Sequence, residues 1–170
     1  MKIKRNLELE TYNTLGIRAT CEIAYFPETA EELAATVNEL DRYILIGGGS
    51  NIIFTDTRYR TPFIITTKMD KIREKDLLFC ECGVGTQRLV KYALKNDLEG
   101  FELWYGIPGT VGGGLRGNAS ASSGTIFDIV ATVEIINDKG KMETLHKFPR
   151  KPIALNPGRL VSPANFRNER

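Results

Sequence analysis

The sequence predicts an α+β protein in two parts, on three observations. Residues 20 to 66 alternate strand-like, helix-like and strand-like segments rich in β-branched residues, the pattern of a small α/β unit. "MDKIREKD", residues 69–76, is a charged connector and marks a boundary. Beyond it come a strand, an amphipathic helix and an alternating hairpin pattern, which make a second, larger α+β unit. The expected division is residues 1–68, residues 69–147, and a Pro/Arg-rich tail over 148–170.

The elements follow in order. "GIRATCEIAYFPET" reads as an extended segment ending at Pro27. Thr29 followed by Glu32 forms a capping box for a helix over "AEELAATVNELD", with Leu33, Val37 and Leu40 on one face. A buried strand, "YILIG", a glycine loop, a second strand, "NIIFT", and a third, "PFIIT", complete the first unit. The second opens with the strand "LLFCECGVG" and the helix "TQRLVKYALKND", carrying Leu89, Val90, Ala93 and Leu94 on one side. "FELWYGIPGTVGGGLRGNASASSG" has little regular pattern. "IVATVEIINDKGKMETL" predicts a hairpin turning at Asp138-Lys139-Gly140. The tail holds four of the seven prolines and no sustained periodicity, so it is expected to be irregular or dependent on a partner.

Composition narrows the function. A net charge of +2 is too small to argue for nucleic acid or an anionic membrane, and merely permits an acidic small ligand. No apolar run approaches the roughly 20 residues that span a bilayer, and "MKIKRNLELE" is not a secretory signal. Three cysteines without a disulfide spacing fit a reducing, cytoplasmic setting. Cys80 and Cys82 sit two apart, placing both on one face of a strand. That is not a zinc-knuckle spacing, and with one histidine, His146, no metal site is expected.

Chemistry concentrates in two glycine-rich segments. "ILIGGGSNIIFTD", residues 44–56, ends a good strand with Gly47, Gly48 and Gly49, followed by Ser50 and Asn51. Glycines there allow positive φ and turn N–H groups into a concave nest that binds phosphate oxygens. Ser50 and Asn51 add side-chain donors at its rim. The plain alternative is a tight turn whose glycines serve close packing. No helix follows the loop and no Walker lysine is present, so it is neither a Rossmann fingerprint nor a P-loop. "GIPGTVGGG", residues 106–114, and "NASASSG", residues 118–124, form the second segment, where a flat ring or a pyrophosphate could lie against bare backbone. Two such loops suit a long ligand with phosphates at its centre; flexible surface loops are the alternative.

"NTLGIRA", "GGGSNIIFTD" and "GFELWYGIPGTVGGGLRGNASA" together resemble the UDP-N-acetylenolpyruvylglucosamine reductase (MurB, UDP-N-acetylmuramate dehydrogenase) family, within the vanillyl-alcohol-oxidase-like FAD-binding proteins. The match runs from about Asn13 to about Leu145. The resemblance implies a two-subdomain fold of the vanillyl-alcohol-oxidase/PCMH type, with non-covalent FAD between its parts. It implies that Gly47, Gly48, Gly49, Ser50 and Asn51 surround the pyrophosphate. Ile107, Pro108, Gly109, Thr110, Gly113, Gly114 and Asn118 would lie along the flavin and ribityl end. It further implies NADPH as reductant and UDP-N-acetylenolpyruvylglucosamine as acceptor, in peptidoglycan precursor synthesis.

Departures qualify the activity. Where the family reads Asn-Ala-Gly-Ala-Tyr-Gly, this chain has Asn118-Ala119-Ser120-Ala121-Ser122-Ser123, and Thr125 stands where an acidic residue is common. The family's Tyr-Arg-Asn/Asp-Ser motif, whose arginine holds the substrate carboxylate, has its nearest counterpart in "NFRNE". That makes Arg167 the candidate catalytic residue, against a solvated tail charge, with Glu169 in place of the serine. The family's serine proton donor and its glutamate lie in a substrate domain to which no residue here is matched; Ser120, Ser122 and Ser123 are not substitutes. Three readings follow: a short or truncated reductase, a catalytically impaired or split FAD-binding module, or a flavin oxidoreductase with another acceptor. A cleft left open predicts self-association or a complementing substrate domain.

Overall fold

The computed structural model describes residues 1–121, 124–137, 140–146 and 160–166. Its first sheet is mixed. Strand β1 (Lys2–Glu8) pairs antiparallel with β2 (Thr20–Phe26). Helix α1 (Ala30–Glu39) leads to β3 (Ile44–Ile46), the short β4 (Arg58–Tyr59) and β5 (Phe63–Ile65). The order is β1-β2-β5-β3, with β5 parallel to both neighbours and β4 continuing the β2 edge below β5. Parallel strands crossed by a helix are the α/β pattern the sequence predicts.

Helix α1 starts where Thr29 accepts a hydrogen bond from the Glu32 amide at 3.2 Å. The reciprocal half of the expected capping box goes one residue further out: Glu32 accepts from the Glu28 amide, at 2.8 Å. Leu33 and Val37 then bury against Ile64 of β5, Met69, Cys82 and Ile136, with Leu40 partly covered beside them. This cluster takes side chains from both halves of the chain, so α1 is the wedge that joins them.

The second sheet is antiparallel. Strands β6 (Ile72–Glu74) and β7 (Leu78–Cys80) precede α2 (Thr86–Lys95) and α3 (Val111–Gly117). The two-residue strands β8 (Ser120–Ala121) and β9 (Gly124–Thr125) pair with each other, before β10 (Val130–Ile136), β11 (Met142–Leu145) and β12 (Leu160–Phe166). The sheet order is β11-β10-β12-β7-β6. Leu89, Val90 and Ala93 of α2 pack with Leu78, Phe101, Trp104, Val133 and Ile135 into the larger core. Burial of a side chain such as Leu89 contributes roughly 1.5–3 kcal/mol. Leu94, expected on the same face, points to solvent.

Four local expectations differ from the structure. "NIIFT" is not a strand: the Thr55 and Asp56 amides donate to the Tyr59 hydroxyl instead of to a ladder. Phe54 meanwhile joins Tyr59 and Phe63 in an aromatic cluster. The charged connector contains β6, which pairs with β7. Within the stretch expected to be irregular, residues 160–166 form β12, between β10 and β7. Its Pro163 sits where the register slips by one residue, Val133 facing Ala164 and Ile135 facing Val161. Such a bulge tolerates a residue with no N–H to donate. Lastly, β7 ends at Cys80, so Cys80 and Cys82 enter different cores.

All three cysteines are free and buried. Burial pushes the Cys80 and Cys82 thiols from an ordinary 9.0 up to about 12, and raises Cys21 as well. Their protonated form is thus favoured in the folded state. The stability this confers is complete below pH 9 and is lost as pH climbs towards 12, each buried thiol costing about 1.4 kcal/mol per pH unit in that window. Urea unfolding at pH 8, 9.5 and 10.5 is expected to show midpoints falling in that order.

Candidate functional site

The two glycine segments meet. Loop one, residues 47–51, leaves the end of β3; loop two, residues 107–110, leads into α3. A Cβ on Gly47 would lie 2.3 Å from the Thr110 hydroxyl, and one on Gly48 would lie 3.0 Å from the Gly109 Cα. The Ser50 hydroxyl donates to the Pro108 carbonyl at 3.2 Å. Gly109, at φ +121°, would press a Cβ to 2.7 Å from Ser50 Oγ. Gly47 and Gly48 are therefore required for the approach of one backbone to the other. The close-packing reading of the loop holds, and the N–H groups stay available as well. Among the described residues, the amides of Gly48, Gly49, Ser50 and Asn51 donate to no protein acceptor.

A cleft of about 420 Å³ lies along this junction. Gly47, Gly48, Gly49, Ser50 and Asn51 form one side. Ile107, Pro108, Gly109, Thr110, Gly113 and Gly114 form the other. All but one of the cofactor-binding residues expected from the sequence thus share one crevice. The exception is Asn118, which is not part of the wall. It ends α3 in the left-handed region (φ +48°) and donates its N–H to the Gly114 and Leu115 carbonyls. Its buried Oδ1 has no hydrogen-bond partner among the described residues. Arg167 lies outside the described residues, as do Ser122 and Ser123.

Helix α3 was illegible in the sequence because four of its seven residues are glycine, each costing about 1 kcal/mol relative to Ala. Thr110 caps it, accepting from the Gly113 amide. The first two helical amides are spent on the turn that follows β7: Val111 donates to Val84 O and Gly112 to Cys82 O, both at 2.8 Å. The helix end therefore offers little to an anion. Gly112 is fixed by this contact, since its Cβ would meet that of Cys82 at 2.7 Å. The other three glycines have no such reason. A Cβ on Gly117 meets nothing within 4 Å, and those on Gly113 and Gly114 only ordinary contacts at 3.5 and 3.4 Å. These three share one helix face, and that face borders the cleft.

Residues that pattern reasoning missed hold loop two in place. Thr86, at the start of α2, donates its hydroxyl to Ile107 O at 2.6 Å, and its amide donates to Gly109 O. Gln87 donates to Trp104 O and Ile107 O, both at 3.1 Å. No motif signals these roles, because they depend on α2 crossing the loop. Arg116 is the one charged side chain in the cleft wall among the described residues. The neighbouring Tyr43 phenol is pushed up by burial, and the Arg116 charge pulls it partly back.

Unpaired amides on one wall suit phosphate oxygens, and a bare helix face on the other suits a flat ring. That donor set fits a dinucleotide such as FAD. A test separates this from mere flexibility. Gly117→Ala is expected to raise the stability of the cofactor-free protein by about 0.5–1 kcal/mol, since helix propensity improves and no clash arises. The same change is expected to weaken FAD binding, as read by flavin fluorescence titration.

Comparison with known proteins agrees. Residues 22–146 match the FAD binding domain family. The chain is similar to the UDP-N-acetylenolpyruvoylglucosamine reductase of Clostridium novyi, 29% identical over 97% of this chain and 57% of that protein. It is also similar to the same enzyme from Borrelia garinii subsp. bavariensis, 34% identical over 78% and 45%. The chain thus spans about half the length of these curated relatives. The crystal structure of UDP-N-acetylenolpyruvylglucosamine reductase from Thermus caldophilus superposes with a TM-score of 0.83 at 27% identity, over 98% of this chain and 62% of that one. Alkyldihydroxyacetonephosphate synthase shares the fold, with a TM-score of 0.64 at 19% identity over 89% of this chain and 32% of that one. Among the described residues no helix is long and apolar enough to cross a membrane. With residues 22–146 matched, the chain belongs to the FAD binding domain family.

Proposed function

We propose that this chain binds FAD non-covalently in the cleft between its halves and serves as the flavin-holding part of an NADPH-dependent reductase of UDP-N-acetylenolpyruvylglucosamine. The observation that carries the reading is the convergence of two side-chain-poor segments, about 60 residues apart, on one crevice. When bound, FAD supplies hydride transfer between NADPH and the enolpyruvyl double bond. The chain's own residues bind and orient it. The amides of Gly48 to Asn51 would hold the pyrophosphate, and Ile107 to Thr110 with the Gly113–Gly117 face would carry the ring and ribityl chain. In this reading the setting is cytoplasmic, in accord with three free thiols.

Arg116 would add a positive charge to the ligand's phosphates. Arg116→Gln is expected to weaken FAD binding 2- to 5-fold at low salt, the 0.5–1 kcal/mol of an exposed ion pair. Riboflavin, which has no phosphate, is expected to bind equally to both proteins. The main test is direct: purified protein should carry a flavin spectrum, and NADPH oxidation should depend on added UDP-N-acetylenolpyruvylglucosamine. Bound flavin without that turnover would assign the chain as a binding module that needs a complementing domain. Failure to bind FAD at all would end the proposal.

A further inference from the structure

We propose that Asn13 is a positioning residue for the phosphate-side loop, acting through a rigid turn behind the cleft; for its functional meaning this rests on the FAD reading above. The side chain of Asn13 is buried and fully engaged. Its amide donates to Leu9 O at 3.0 Å, Glu10 O at 3.2 Å and Ile17 O at 3.0 Å, and its Oδ1 accepts from the Ile17 amide at 2.9 Å. One side chain thereby closes the turn over residues 9–17, replacing a secondary structure that the turn lacks. The turn is fixed to the first sheet by Leu9, whose amide donates to Ala19 O, and by the Tyr12 ring, 5.8 Å from Phe26.

The outer face of this turn is the backstop of loop one. Gly49 has φ +67°, and a Cβ there would fall 2.0 Å from Tyr12 O and 2.8 Å from the Asn13 Cα. The Thr14 amide donates to Gly49 O at 3.2 Å. With that carbonyl held on the far side, the amides of Gly48, Gly49, Ser50 and Asn51 are left without protein acceptors beside the cleft. Asn13 touches neither the cleft nor any ligand in it; it sets where those donors stand. This explains why an asparagine in "NTLGIRA" belongs with a glycine loop more than 30 residues away.

The experiment breaks the linkage at two points. Asn13→Ala removes the four bonds that shape the turn. Thr14→Pro removes the strut to Gly49 O but keeps those four bonds, and the extended backbone of Asn13 (φ −144°, ψ 146°) suits a following proline. Val133→Ala, in the second core, is the control for simple loss of stability. In ¹⁵N relaxation of the FAD-free proteins, the order parameters of Gly48 to Asn51 are expected to fall in both linkage variants and to stay unchanged in the control. FAD affinity is expected to drop tenfold or more in both, again without change in the control. Unchanged loop order in both variants, an equal fall in the control, or loosened loops with full FAD affinity would each overturn the positioning role. Should wild-type protein not bind FAD, the functional reading fails while the relaxation comparison still decides the mechanical one.

Discussion

Gly48→Val is expected to abolish flavin retention while the chain stays folded. The Cβ of any residue at 48 would lie 3.0 Å from the Gly109 Cα and 3.2 Å from its carbonyl carbon. Both atoms are backbone and cannot swing aside, and two further methyls worsen the contact. Relief comes from separation of loop one from loop two, which line the crevice. The cores on either side do not pass through Gly48, so the cost falls mainly on the ligand. FAD affinity is expected to fall at least 100-fold, about 2.7 kcal/mol, with circular dichroism unchanged. Retention of yellow colour through purification of this variant would show that the ligand does not use the junction.

Gly83→Ala is expected to be strongly destabilising. Gly83 lies at the seam between the halves, where its amide donates to Met69 O at 2.8 Å. A Cβ would sit 2.0 Å from Thr66 O and 2.8 Å from Met69 O. Nearby, Glu81 accepts from the Lys71 amide and donates its own to Lys71 O, so the seam has no slack. A clash with two carbonyl oxygens is relieved only if the segment over Thr66–Met69 parts from the turn at Gly83, at about 3 kcal/mol or more. For a chain of this size that is a fall in melting temperature of roughly 6–12 °C. A differential scanning calorimetry shift under 2 °C would show that the halves move apart freely.

The sequence was legible where one short-range rule decided the outcome. Thr29 before an apolar 3.6-residue pattern foretold α1, and the helix over Thr86–Lys95 appeared from its apolar pattern alone. The hairpin of β10 and β11 followed from alternation around Gly140, which takes φ +65°. Legibility failed where a distant partner decided. "NIIFT" has the composition of a strand, but Tyr59 captures the amides of its last residue, Thr55, and of Asp56 beyond it. Strand β1 was missed because its side chains are mostly polar and exposed, so no alternation shows. Helix α3 hides behind glycines whose absent side chains make sense only once the cleft is seen. The two glycine segments that line the cleft stood out because glycine clusters are costly and so informative. The side chains that hold those clusters, Thr86, Gln87 and Asn13, carry no local mark.

Strand β12 has a consequence for the order of assembly during synthesis. The first sheet closes with residues 2–65, all of which leave the ribosome early. The second cannot close then, because β7 and β10 are not neighbours and residues 160–166 must slot between them. Until that late segment emerges, two strand edges stand bare, a state prone to mispairing with other nascent chains.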